Sequence, residues 1–177
     1  YFERWIQTFP TIHDVVKAPI EKILKQWQGL GYYNRVRNLK KAADIIVKEH
    51  NSEIPKNRDV LIKLPGFGSY TVGAVLSIAY DQPQPIVDAN VRRVFMRILA
   101  KEGLADTKHD KEITELLVQC LPRKGSGDFN QGLMELGALI CRTKEPVCSM
   151  CPVKEDCLAY EKGIQEIIPE PKKKVIK

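Results

Sequence analysis

Apolar residues recur along most of the chain at the three- and four-residue spacing of a helical face, and two-residue alternation is rare and short. That pattern predicts an all-α fold. Phe2, Trp5, Ile6 and Phe9 form a stripe that ends at Pro10, and Thr11 stands where it can cap a short helix carrying Ile12, Val15 and Val16. Pro19 suits the first turn of a helix through Ile20, Ile23, Leu24 and Trp27. Gly29-Leu30-Gly31-Tyr32-Tyr33 breaks the pattern, and Leu39, Ala42, Ala43, Ile46 and Val47 restore it in a long helix up to His50. After a polar loop, Val60, Leu61 and Leu64 mark a short helix that stops at Pro65-Gly66. Further helices are predicted at about Tyr70 to Tyr80, Ala89 to Ala100, Lys111 to Cys120, Phe129 to Ile140 and Val153 to Glu161. The closing stretch from Pro169 to Lys177 is basic and proline-punctuated, and it is expected to be a linker or disordered end. The chain opens without Met in what reads as the middle of an amphipathic helix, so further chain is expected upstream.

Composition narrows the class. A length of 177 residues with 44% hydrophobic content suffices for one domain or two small lobes. The 28 Lys and Arg against 22 Asp and Glu leave a net charge of +6, which suits a polyanion and equally suits an ordinary basic surface. No apolar run approaches the ~18 residues of a membrane span, and nothing resembles a secretion signal, so a protein of a reducing compartment is expected, with no membrane partner. Nothing signals oligomerisation, and a monomer is expected.

Three local patterns carry chemistry. Leu64-Pro65-Gly66-Phe67-Gly68-Ser69-Tyr70-Thr71 joins two apolar helices through paired glycines, which permit positive φ and close backbone approach. Free N–H groups at the start of the second helix favour a phosphate, so this segment is a candidate grip on a DNA backbone; an ordinary connection between helices is the alternative. Lys63, Arg92, Arg93 and Arg97 are candidate further phosphate contacts. Asp88 follows an apolar, strand-like run and heads the next helix, where an N-cap is the simple reading and a carboxylate beside a cationic sugar the chemical one, with Asn90 as its orienting partner. Cys141, Cys148, Cys151 and Cys157 stand as C-x6-C-x2-C-x5-C, a spacing that can wrap a [4Fe-4S] cluster, with tetrahedral zinc the alternative. Cys120 is expected to be a buried apolar residue.

A hairpin of this composition followed by the Gly/Pro-bounded Asp88 resembles the helix–hairpin–helix, Gly/Pro-Asp superfamily of DNA glycosylases over essentially the whole chain, and within it the iron–sulfur branch of MutY-type adenine glycosylases. The resemblance implies a helical barrel lobe over residues 1–82 with the hairpin at about 60–80, a [4Fe-4S] cluster lobe over 83–163, an active site in the cleft between, and a basic tail over 164–177. It makes duplex DNA with a mismatched or oxidised base pair the partner, and places Tyr32 as a wedge between bases, with Tyr33 packed inside. It sets Arg142 and Lys144, between the first two cysteines, against the DNA backbone. Tyr70 stands where relatives that also cut the strand carry a lysine; a phenol cannot form a Schiff base, so a monofunctional enzyme is implied. Tyr is also found there in thymine-mismatch glycosylases, which stay open as an alternative, as does a non-catalytic DNA-binding module. The family's general-acid glutamate lies upstream of Tyr1 and its NUDIX-like domain downstream, so the stretch from Tyr1 to Lys177 alone is expected to be weak or inactive. The location implied is nucleoid-associated cytoplasm in a bacterium, or nucleus or mitochondrion in a eukaryote.

Overall fold

In the structure, a computed structural model that describes residues 1–171, the helices form where apolar periodicity demands them, and several begin at a side-chain cap. α1 spans Phe2–Thr8, α2 Ile12–Lys17, α3 Ile20–Trp27, α4 Asn34–Glu49 and α5 Arg58–Leu61. α6 spans Ser69–Ala74 and runs on as a π-helical turn, Val75–Ala79; α7 spans Ala89–Ile98 and α8 Asp110–Cys120. α9 spans Ser126–Glu135, with a second π-helical turn at Leu136–Ile140, and α10 covers Leu158–Glu161. Thr11 caps α2 in a capping box with Asp14, as its position predicts, and Asn57 caps α5 through the N–H groups of Asp59 and Val60. Among the described residues no strand forms, and Leu104 and Glu170 make an isolated parallel bridge. No helix among them is long and apolar enough to cross a membrane.

The chain packs as two units, Tyr1–Val72 and Gly73 onward. In the first, Phe9, Val15, Ile23, Val36 and Ala43 form the buried core, and Trp5 stands edge-on to both Phe9 and Trp27. Lys40 on α4 donates to the carbonyls of Val15 (3.1 Å) and Val16 (2.8 Å), so a cation ties α4 to the C-terminal end of α2. In the second, Val91, Phe95, Ile113 and Leu117 are buried, and fully burying an aliphatic side chain of this size contributes about 1.5–3 kcal/mol.

The segment after α6 belongs to the second unit because it builds the start of α9. Asp81 accepts from the N–H groups of Gly125 (3.1 Å) and Ser126 (2.9 Å), Ser126 Oγ donates to Gln82 O, and buried Asn130 bridges Gln84 and Ile86. The Gly125 N–H bond above all, with those from Ser126 and Gly127, holds the Asp81 carboxyl below its ordinary value against an opposing desolvation. A depressed folded-state pKa contributes stability that is complete above the unfolded value of about 3.9 and vanishes as pH falls through the folded one. Asp81→Ala is therefore expected to lower the melting temperature at neutral pH and to flatten its fall below about pH 4, as scanning calorimetry across that range would read.

Two expectations change. The helix expected from Val153 begins only at Leu158, because residues 151–157 are spent on turns. The expected linker over 164–177 is folded as far as the structure describes it: Ile168 is buried, and Glu170 N–H donates to Gly103 O at 2.9 Å. An apolar side chain and a backbone partner keep it there, and the Lys172 to Lys177 part of that expectation lies outside the described residues.

Candidate nucleic-acid interface and thiol cavity

Within the first unit, the turn after α5 is built by successive short backbone bonds, Lys63 N–H to Val60 O, Leu64 N–H to Leu61 O and Phe67 N–H to Leu64 O. Leu64 anchors the turn in the core and Pro65 and Phe67 are half-buried, while Gly66, Gly68, Ser69 and Tyr70 are exposed. Gly66 has φ +82°, and a Cβ there would stand 2.9 Å from the Asn38 Cβ, so glycine is required by the turn and by its approach to α4. Gly68 differs: φ is ordinary, and its missing Cβ faces open space. The first helical bond of α6 is Val72 N–H to Gly68 O at 2.9 Å, which leaves the Gly68, Ser69, Tyr70 and Thr71 N–H groups without an acceptor inside the helix.

At the head of α4 stands Tyr32, 82% exposed and left-handed at φ +46°. Tyr33, expected inside, is 41% exposed, because it occupies the N-cap position of α4, where the chain is still on the surface.

In the second unit, Asp88 caps α7. Its Oδ1 accepts from Val91 N–H at 2.7 Å, and its Oδ2 from the Asn90 amide at 3.2 Å. Asn90 is held in turn by Arg93, whose guanidinium donates to Asn90 Oδ1 (3.0 Å), to the Cys141 carbonyl (2.8 Å) and to the Gly137 carbonyl. With its oxygen occupied by Arg93, Asn90 has to turn its NH2 toward Asp88, so the amide orientation follows from the network. Gly137 makes this packing possible, since a Cβ there would lie 2.6 Å from the Asn90 Cβ.

The four clustered cysteines line one small cavity together with Arg97, Ile140, Lys154, Tyr160 and Gln165. Cys141 is set by the π-helical turn, its N–H donating to Leu136 O at 2.7 Å. Three chained turns then space the others: Cys151 N–H to Cys148 O, Lys154 N–H to Cys151 O, and Cys157 N–H to Lys154 O. Each turn advances three residues, which brings Cys148, Cys151 and Cys157 round one wall. Burial above all, reinforced by neighbouring thiols, raises the Cys148 and Cys151 thiols above their ordinary value.

Zinc needs four sulfurs each about 2.3 Å from one point. Among the described residues no group of three or more His, Cys, Asp or Glu side chains is placed to hold a metal ion, zinc or iron. The four sulfurs line one shared space, a donor set that suits an iron–sulfur cluster and tetrahedral zinc alike, and Gln165 Oε1 beside it has no hydrogen-bond partner.

Arg142 and Lys144 are exposed on the loop between Cys141 and Cys148, where Arg142 also donates to Glu145 O at 2.8 Å. The expected phosphate role of the α7 arginines needs correction. Arg92 makes a bidentate pair with Asp110 (2.6 and 2.9 Å), while Arg93 and Arg97 are only 8% and 2% exposed and are spent on internal carbonyls. Residues 93 and 97 lie four apart on one face of α7, beside the fully buried Met96. Cys120 is exposed at the end of α8, not buried. Gln165 had no signal in the sequence.

Residues 1–123 match the family described as HhH-GPD superfamily base excision DNA repair protein. The chain is 39% identical over 177 residues to the adenine DNA glycosylase of Buchnera aphidicola subsp. Schizaphis graminum (strain Sg), an alignment covering 99% of this chain and 51% of that protein. It is 39% identical over 168 residues to the adenine DNA glycosylase of Homo sapiens, covering 94% of this chain and 31% of that protein. The chain thus spans about half the length, or less, of these curated relatives. Among solved structures, a thermostable thymine-DNA glycosylase superposes with a TM-score of 0.80 at 30% identity, covering 91% of this chain and 75% of that one. Endonuclease III in a non-covalent DNA complex superposes with a TM-score of 0.78 at 27% identity, covering 93% and 76%. Since the family match takes in well over half of the sequence and the helical fold agrees with that of solved glycosylases, the chain belongs to the HhH-GPD superfamily of base excision DNA repair proteins.

Proposed function

We propose that the protein is a monofunctional DNA glycosylase that hydrolyses the N-glycosidic bond of adenine mispaired with 8-oxoguanine or guanine in duplex DNA, and that Cys141, Cys148, Cys151 and Cys157 hold a [4Fe-4S] cluster. The observation that carries the reading is Asp88, a carboxylate fixed through both oxygens at the head of α7 in a chain of this family. Departure of the base leaves cationic character on the sugar, and a carboxylate held in place before the reaction stabilises that charge without reorganising. Asn90 orients Asp88, and Arg93 orients Asn90.

The exposed N–H groups from Gly68 to Thr71 and the open space at Gly68 suit close approach of a DNA phosphate, which positions the duplex without reading its sequence. Leu64, Pro65, Gly66 and Phe67 hold that turn, and Ser69 adds a hydroxyl. Tyr32, exposed at the head of α4, suits insertion between bases, with Arg142 and Lys144 as further phosphate contacts. Tyr70 offers no amine, so water rather than the enzyme takes the sugar carbon, and an abasic site remains. The cluster, when bound, supplies a structural tie between the ends of the 141–157 segment.

A second reading, thymine-mismatch glycosylase, draws support from the thymine-DNA glycosylase among the structural neighbours and from Tyr70. The protein at its natural length, purified without oxygen, is incubated with duplexes holding one A:8-oxoguanine or one T:G pair, and the released base is identified by chromatography. Adenine release with an alkali-labile site is expected. Thymine release would move the assignment to the second reading, and tight binding with no release would leave a non-catalytic module.

A further inference from the structure

Arg97 is among the largest fully buried side chains of the protein, at 2% exposure. A guanidinium stays charged in a protein, and a buried charge is costly unless paired and hydrogen-bonded. Yet among the described residues no carboxylate pairs with Arg97. Its donors go to the carbonyls of Ile168 (Nε, 2.7 Å), Arg142 (Nη1, 2.6 Å) and Thr143 (Nη2, 3.3 Å), and Nη1 also reaches Cys141 Sγ at 3.3 Å. The one contact that can carry negative charge is that sulfur, and Arg97 itself lines the thiol cavity.

We propose that Arg97 is the positioning residue of this cavity: it fixes Cys141 in its ligating place by a hydrogen bond to the sulfur, supplies the buried counter-charge to a thiolate-bound cluster, and ties the 164–170 strap over it through Ile168. The inference rests on the reading that the four cysteines bind a [4Fe-4S] cluster. The rigid fork of arginine is needed because three carbonyls and a sulfur lie in different directions; a lysine ammonium retains the charge and loses the fork. A donor aimed at a ligating sulfur stabilises the more negative, reduced state, so it sets the potential as well as the geometry.

The test uses the full-length protein purified without oxygen, as wild type, Arg97→Lys and Arg97→Met, with iron and sulfide measured per chain, cluster release followed by absorbance under excess chelator, and the cluster potential measured by film voltammetry on DNA-free protein. Partners that orient metal ligands commonly govern about 10–100-fold in affinity, so release from Arg97→Met is expected to be faster by roughly that factor, with Arg97→Lys in between. In both variants, cluster that remains bound is expected at a more negative potential. A loaded wild type whose variants match it in release and potential overturns the inference and leaves the cluster reading standing. Faster release at an unchanged potential also overturns it, since Arg97 would then only fill space. A variant too unstable to load is covered by the other, and a wild type without iron and sulfide overturns the cluster reading and the inference with it.

Discussion

Asp88→Asn is expected to retain the fold and lose base release by about 10²–10⁴-fold, the range over which a positioned charged or proton-transferring group acts in such steps. The pairing of effects is what makes the variant informative. Asparagine keeps an oxygen for the Val91 N–H, which Asp88 now accepts at 2.7 Å, and it is among the best N-cap residues, so α7 keeps its cap. The negative charge disappears, and with it the stabilisation of a cationic sugar, and the new NH2 also gives up the bond that Asp88 Oδ2 accepts from the Asn90 amide. Single-turnover release of adenine, measured beside the thermal midpoint, separates the two roles: an unchanged rate would show that Asp88 is merely a cap, and a collapsed midpoint would show that the cap interaction had been misjudged.

Cys148→Ser is expected to be the most damaging single change to the second unit. A serine oxygen is a harder and poorer ligand for such a group than a thiolate. Structural metal sites contribute apparent free energies of about 10–16 kcal/mol where they have been measured for zinc, against a net domain stability of about 5–15 kcal/mol. Loss of one ligand can therefore exceed the whole margin. The expected result is a protein without iron whose segment from Cys141 to Ile168 is rapidly cut by protease, while the first unit, which has its own aromatic core around Trp5, Phe9 and Trp27, resists. A Cys148→Ser protein with full iron content and wild-type digestion would remove Cys148 from the ligand set.

Most helices were legible because their signals are local. The capping box of Thr11 and Asp14, the proline before Ile20 and the apolar stripe of α4 each involve residues within a few positions of one another. The spacing of Cys148, Cys151 and Cys157 was legible for the same reason, since three-residue turns impose multiples of three, whereas Cys141 is set apart by its π-helical turn. What the sequence did not disclose are partnerships across distance. Arg92 finds Asp110, Arg93 finds the carbonyls of Gly137 and Cys141, Arg97 finds Ile168, and Asp81 caps a helix that begins at Ser126. An arginine bound for a buried carbonyl and one bound for a phosphate are the same letter, which is why the α7 arginines read as DNA contacts. The fold of 164–170 was hidden similarly: prolines and charges suggested a linker, and its buried apolar residue, Ile168, needs a partner that the local pattern does not contain.

The left-handed backbone of Tyr32 has a thermodynamic side. Holding a non-glycine residue in that region costs about 1–2 kcal/mol, and the cost is met when the first unit folds, because α4 begins two residues later and fixes the chain direction. The ring is thereby aimed outward in the free protein. Whatever the exposed ring meets gains from a backbone already ordered in folding, while the ring's own rotamers are still to be fixed, so preorganisation would show as a smaller backbone share of the entropic penalty of association, without any additional contact.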